Sequence, residues 1–155
     1  MALTIEDGSG VAGADSFLSA QDAATREGLF FGDATILDDP SGEAALRRAW
    51  VYMSGLDWKA NTWASFEGEI PDAVKTAQVV LARAEFASTG VLSPSVSLSV
   101  RRVLSKAGDI AWNTPATPSS VKDFRPVVTM AFDLLKPYLE KSALNEGGTR
   151  ELLRS

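Results

Sequence analysis

The stretch from Ile70 to Ser88 constrains this chain more than any other. Ile70, Ala73, Val74, Ala77, Leu81 and Ala84 recur at the spacing of one helical face, Pro71 stands where a helix accepts a first-turn proline, and Gly90 closes the run. Its alanines let a neighbouring helix approach closely, so the fold is expected to be built on helix packing. Ala45, Leu46, Ala49, Trp50, Met53 and Leu56 predict a second helix over 41–56, and Phe124, Val127, Val128, Ala131, Leu134, Leu135 and Tyr138 a third, with Pro126 in its first turn and Pro137 disturbing its last. Ser19, with Asp22 three residues on, predicts the cap of a shorter helix ending near Gly28.

Between these helices the pattern changes. Gly8, Gly10 and Gly13 make the N-terminus extended, 29–40 reads as an acidic loop, and 57–69 as a loop rich in aromatics. Val96, Leu98 and Val100 alternate with serines, and Gly108-Asp109 precedes a short apolar run over 110–113, which together predict a β-hairpin. The expected fold is mainly α: a small bundle of three to four helices with an inserted β-hairpin and extended termini. Residues 1–141 form one domain, and 142–155 a tail whose Leu152-Leu153 suits docking.

Composition limits the chemistry. The 155 residues contain no Cys and no His, which excludes a thiolate or imidazole metal site, a disulfide frame, a cysteine nucleophile and a Ser-His-Asp triad. The carboxylate pairs Glu6-Asp7, Asp38-Asp39 and Glu67/Glu69 sit in polar loops where solvated acids are ordinary. The Gly8-Ser9-Gly10 string has no following lysine and acidic flanks, unlike a phosphate loop. We therefore expect no enzyme, no catalytic set, no cofactor and no metal.

The formal net charge is −5, which weighs against affinity resting on phosphate neutralisation. Residues 1–72 hold 13 acids and 4 bases, and 73–155 hold 7 acids and 11 bases. Such a split suits head-to-tail contacts between copies that close into a ring and weaken with salt. Arg101, Arg102 and Lys106 beside Trp58 and Trp63 leave single-stranded-DNA binding as the alternative, with core packing the ordinary role of Trp50, Trp58, Trp63 and Trp112. No apolar run long enough to span a membrane occurs and no signal peptide precedes the chain, so it reads as soluble and made in the cytoplasm.

Ile5-Glu6-Asp7-Gly8-Ser9-Gly10, Ala12 to Phe17, Ser19, the Ala45-Leu46/Ala49 helix, Asp57-Trp58-Lys59 and Ile70 to Gln78 occur in an order that resembles the head-tail connector (adaptor) family of tailed bacteriophages, some members of which carry a single-stranded-DNA-binding label. Phe17 replaces the usual Tyr, and the Trp loop is shorter than in that family. The resemblance implies a structural virion protein at the neck: a dodecameric ring beneath the portal, assembled in the host cytoplasm. That ring would contact the portal protein and a neck or tail completion protein, with double-stranded DNA passing through its lumen during packaging and ejection and no membrane involved. Under it, Arg150, Leu152, Leu153 and Arg154 would dock on the portal, while Asp33, Asp38, Asp39, Arg101, Arg102 and Trp112 would lie at ring or neck contacts.

Overall fold

The computed structural model describes residues 2–34, 40–59, 63–93 and 128–140, together with the backbone of 106–107 and 110–111. Among the described residues the fold is mainly helical, with four helices: α1 (Ala20–Phe31), α2 (Pro40–Ser54), α3 (Asp72–Ala87) and α4 (Thr129–Leu135). α3 runs through the centre, packed along α2 and α4 and more lightly on α1. Val74, Thr76, Ala77, Gln78, Val79, Val80, Leu81, Ala82 and Glu85 of α3 are all buried. The sequence pattern predicts one apolar face here. Instead the helix is covered nearly all round, because neighbours lie on several sides and its alanines admit them closely.

Each helix end has a chemical cause. Ser19 sits in extended backbone, its Oγ accepts the Asp22 N–H at 3.0 Å, and it donates to Asp22 Oδ2 at 2.7 Å. α1 passes Gly28 and stops at Gly32, left-handed at φ 73°, whose N–H returns to the Gly28 carbonyl at 2.9 Å. At the far end of α3, buried Glu85 accepts the Gly90 N–H at 2.6 Å and the Leu92 N–H at 3.0 Å, turning the chain without a side chain of the loop itself.

Phe17, Leu46, Met53, Ile70, Leu81, Leu135 and Leu139 are the largest apolar side chains with essentially no exposure. Each contributes about 1.5–3 kcal/mol by leaving water. The α2 residues Ala45, Leu46, Ala49 and Met53 join that core as the helical spacing predicts, whereas Trp50 stays half-buried at its edge.

Two expectations change. The strand expected over 96–100 lies outside the described residues, and the one pairing described nearby is two residues long, Lys106–Ala107 (β1) antiparallel to Ile110–Ala111 (β2). Pairing that short lacks the half-buried ladder the alternating serines implied, so the inserted hairpin is not supported. The last helix begins at Thr129, after Val128 in extended conformation, and its expected start at Phe124 and Pro126 lies outside the described residues.

Candidate nucleic-acid interface

The N-terminal loop, α2, residues 57–59 and 63–66, and the stretch just after α4 converge on one cluster of rings. Trp63, on a short 3₁₀ turn (Trp63–Phe66), is its hub. Its ring centroid lies 5.0 Å from Phe17, 5.5 Å from Trp50, 5.0 Å from Trp58 and 6.3 Å from Phe66, and Phe66 in turn lies 6.2 Å from Tyr138. Most of these contacts are tilted or edge-on, the arrangement aromatic quadrupoles favour. Phe17 is fully buried; Trp50, Trp58, Trp63, Phe66 and Tyr138 are half-buried. The cluster therefore joins the core to a surface made of aromatic rings.

Backbone pairing holds its two halves together. Trp58 forms an antiparallel bridge with Leu139, the Lys59 N–H donates to the Tyr138 carbonyl at 3.0 Å, and the Glu140 N–H donates to the Asp57 carbonyl at 2.8 Å. The Trp58 indole N–H is satisfied by the Met53 carbonyl at 2.7 Å. From the other side, Gly68 donates to the Gly8 carbonyl at 3.0 Å, and a Cβ on Gly8 would fall 2.7 Å from the Glu69 nitrogen. Only glycine, here at φ 98°, permits that approach.

The N-terminal motif explains the loop that meets this turn. Glu6 is buried, and its Oε1 accepts the Gly8 N–H at 2.9 Å and the Gly10 N–H at 2.8 Å, while Oε2 has no partner among the described residues. It is a structural acceptor and not the solvated loop acid its sequence neighbourhood suggests. Asp7 beside it is exposed, and hydrogen bonds from the side chain and backbone of Ser9 hold its carboxyl below the usual aspartate range.

The described residues carry more acid than base. Among residues whose side chains are described there are seven bases against fourteen acids. All four arginines are held by carboxylates: Arg26 by Asp72, Arg47 by Asp15 at 2.7 Å and Glu43 at 3.6 Å, Arg48 by Glu85 at 3.7 Å, and Arg83 by Glu27 at 2.7 Å. Among the described residues Lys59, Lys75 and Lys136 have no carboxylate partner. One of them borders the ring cluster: Lys59 Nζ donates at 2.6 Å to the carbonyl of Pro137, the residue between Lys136 and Tyr138 in the chain. At that corner Lys59 stands exposed beside half-buried rings, and the acids Asp57 and Glu140 lie there too, joined through their backbones.

Of the residues singled out from sequence, Arg101, Arg102, Trp112, Asp38, Asp39, Arg150, Leu152, Leu153 and Arg154 lie outside the described residues. Asp33 is half-buried just past the α1 cap and already engaged. Sequence reasoning missed that Phe66 and Tyr138 join Trp58 and Trp63 in one cluster, with Phe17 buried beneath it. The density of aromatics over 57–69 was the available signal, but it carries no information about what returns from α4. No group of three or more Asp or Glu among the described residues is placed to hold a metal ion, and no described helix is long and apolar enough to cross a membrane.

The model of a family described as "Putative DnaT-like ssDNA binding protein" matches residues 1–65. No curated protein matches the chain, and no solved structure does. The match overturns the connector reading and, with it, the portal, neck, ring and DNA-conduit partners. The physical reason lies in what the shared N-terminal pattern does here. Glu6, Gly8 and Gly10 close a loop, and Ser16 and Phe17 seat it on Gln78; these are packing devices that fix a fold and carry no preference for a portal. The matched stretch contains Trp50, Trp58, Lys59 and Trp63, the first half of the aromatic surface.

Proposed function

We propose that the chain is a single-stranded-DNA-binding module whose half-buried rings receive unpaired bases. The family match over residues 1–65 carries this reading. The geometry supports it through one juxtaposition: Trp58, Trp63, Phe66 and Tyr138 form one ring cluster, and Lys59 reaches the Pro137 carbonyl at its edge, next in the chain to Lys136. Aromatic side chains stack on any base, and each stacked base is worth about 1–3 kcal/mol. A duplex offers no free base faces, so the preference is for single strands. The acidic balance of the remaining body opposes a strand wrapped around it, which confines contact to this corner.

In sequence, Arg101, Arg102, Lys106, Lys122 and Arg125, against Asp109 and Asp123 alone over 94–127, are a second source of phosphate contacts. The function is binding, with no bond made or broken, in keeping with the lack of Cys and His. Intrinsic tryptophan fluorescence titrated with an unlabelled deoxythymidine oligonucleotide tests the reading. Saturable quenching by the single strand and a much weaker response to the matching duplex are expected. No quenching, or equal binding of duplex, rejects it.

A further inference from the structure

The 3₁₀ turn at Trp63–Phe66 has a geometric consequence. With three residues per turn and about 2.0 Å of rise each, side chains three apart eclipse about 6 Å from one another. Trp63 and Phe66 follow that rule: their rings are nearly parallel, at 12°, with centroids 6.3 Å apart. Every other ring pair of the cluster is tilted or edge-on, between 50° and 89°. A flat group clasped between two rings needs about 6.8 Å, two stacking steps of about 3.4 Å. The centroid distance is an upper bound on the separation of the ring planes, so the space is short of that by at least about half an ångström.

The two walls differ in freedom. Trp63 is braced by Phe17, Trp50 and Trp58, whereas Phe66 is braced by Tyr138 at 6.2 Å, edge-on. The two residues between them, Ala64 and Ser65, are small and exposed, leaving the outer side of the turn uncovered by bulk. Gly68 anchors the base of the turn to Gly8, and both rings pack against the core, Phe66 with one ring neighbour besides Trp63.

We propose that Trp63 and Phe66 form a clip for one unpaired nucleobase, Trp63 the fixed jaw and Phe66 the yielding one. The proposal rests on the single-strand reading and makes it specific: one base is held at this turn by two ring faces, and the lysines position the phosphates beside it.

The test uses the full chain and a deoxythymidine ten-mer, with Phe66→Leu as the variant and Phe30→Leu, on the exposed end of α1, as the control. Phe66→Leu is expected to weaken binding at least about fivefold, and Phe30→Leu to leave it within twofold. Irradiation of wild-type complexes with the same oligomer carrying 5-iododeoxyuridine should place the crosslink on Trp63 or Phe66. Wild-type protein that binds no oligomer rejects the function itself. Wild-type binding with Phe66→Leu equally tight, or a crosslink mapping elsewhere, rejects the clip alone. If Phe66→Leu fails to fold, the crosslink on the wild-type chain decides.

Discussion

The Gln78 side chain lies in the centre of α3, fully buried, and its Oε1 accepts the Phe17 backbone N–H at 2.9 Å. Its Nε2 donates to Ser16 Oγ and to the Leu46 carbonyl, both at 3.1 Å, so one amide joins the N-terminal loop, α2 and α3. Every polar atom of that amide has a partner, which is what makes its burial tolerable. Gln78→Leu would strand the Phe17 N–H in a dry site. The expected loss is about 2–4 kcal/mol, from one buried donor unpaired and the other bonds lost, measured as a lower midpoint in urea unfolding.

Arg83 and Glu27 set a second test between α1 and α3. Glu27 has no exposure, the Arg83 guanidinium reaches it at 2.7 Å and also lies 4.6 Å from the Phe31 ring centroid. Removing the cation alone, by Arg83→Met, takes the arginine away from a buried carboxylate and is expected to cost up to about 3–5 kcal/mol. The double variant Glu27→Leu with Arg83→Met is expected to recover a substantial part of the loss in thermal melting. A double variant as unstable as the single would show that the ring contact, and not the ion pair, holds α1 in place.

Gly8→Ala brings a Cβ against the Glu69 nitrogen at a φ that favours glycine. A loss of about 1–3 kcal/mol is expected. Because Gly8 also accepts the Gly68 N–H, the same change should shift the Trp63 emission maximum in the folded protein. An unshifted spectrum would mean that the turn tolerates the displacement.

The Asp7 carboxyl titrates below the usual aspartate range because Ser9 donates to it. A carboxyl pKa depressed by folding stabilises the native state above the unfolded value and loses that contribution as pH falls through the folded one. Asp7→Asn is therefore expected to lower stability slightly at neutral pH, with the difference closing in strong acid. NMR titration of the Asp7 carboxyl should give a midpoint lower than in the Ser9→Ala variant.

Salt reports how many cations meet the strand. If Lys59 and Lys136 are the only phosphate contacts, log Kobs should fall with log salt at a slope of about −1.4, about −0.7 per neutralised phosphate of a single strand. A slope near −3 would add about two contacts, and its reduction by Arg101→Ala with Arg102→Ala would place them in the basic stretch.

The helices were legible because their signals are local. Ser19 and Asp22 cap α1 as read, and Ala45, Leu46, Ala49 and Met53 face the core as spaced. The end of α1 was not, since Gly28 and Gly32 are both plausible stops and only the second adopts the left-handed conformation. The full burial of α3 was hidden too, because alanine at 77 or 82 reads alike whether it meets a neighbouring helix or water. The site was half legible. Tryptophans at 58 and 63 announce an aromatic loop, but Tyr138 and Lys136 reach it through backbone pairing at Trp58 and Leu139, a non-local event no short window records. The split of charge between halves misled for a related reason: most of the N-terminal arginines are matched by acids brought near in the fold, so a running count along the chain does not describe a face.

The bridge from Trp58 to Leu139 also sets an order of events in synthesis. The corner cannot close until residue 139 has left the ribosome, long after Trp50, Trp58 and Trp63 have emerged. Until then Trp58 lacks the backbone partner that fixes its place, so a polypeptide ending near residue 65 would carry the indoles without the segment that closes the corner. The assembled ring cluster belongs to the chain through residue 139 and not to residues 1–65 alone.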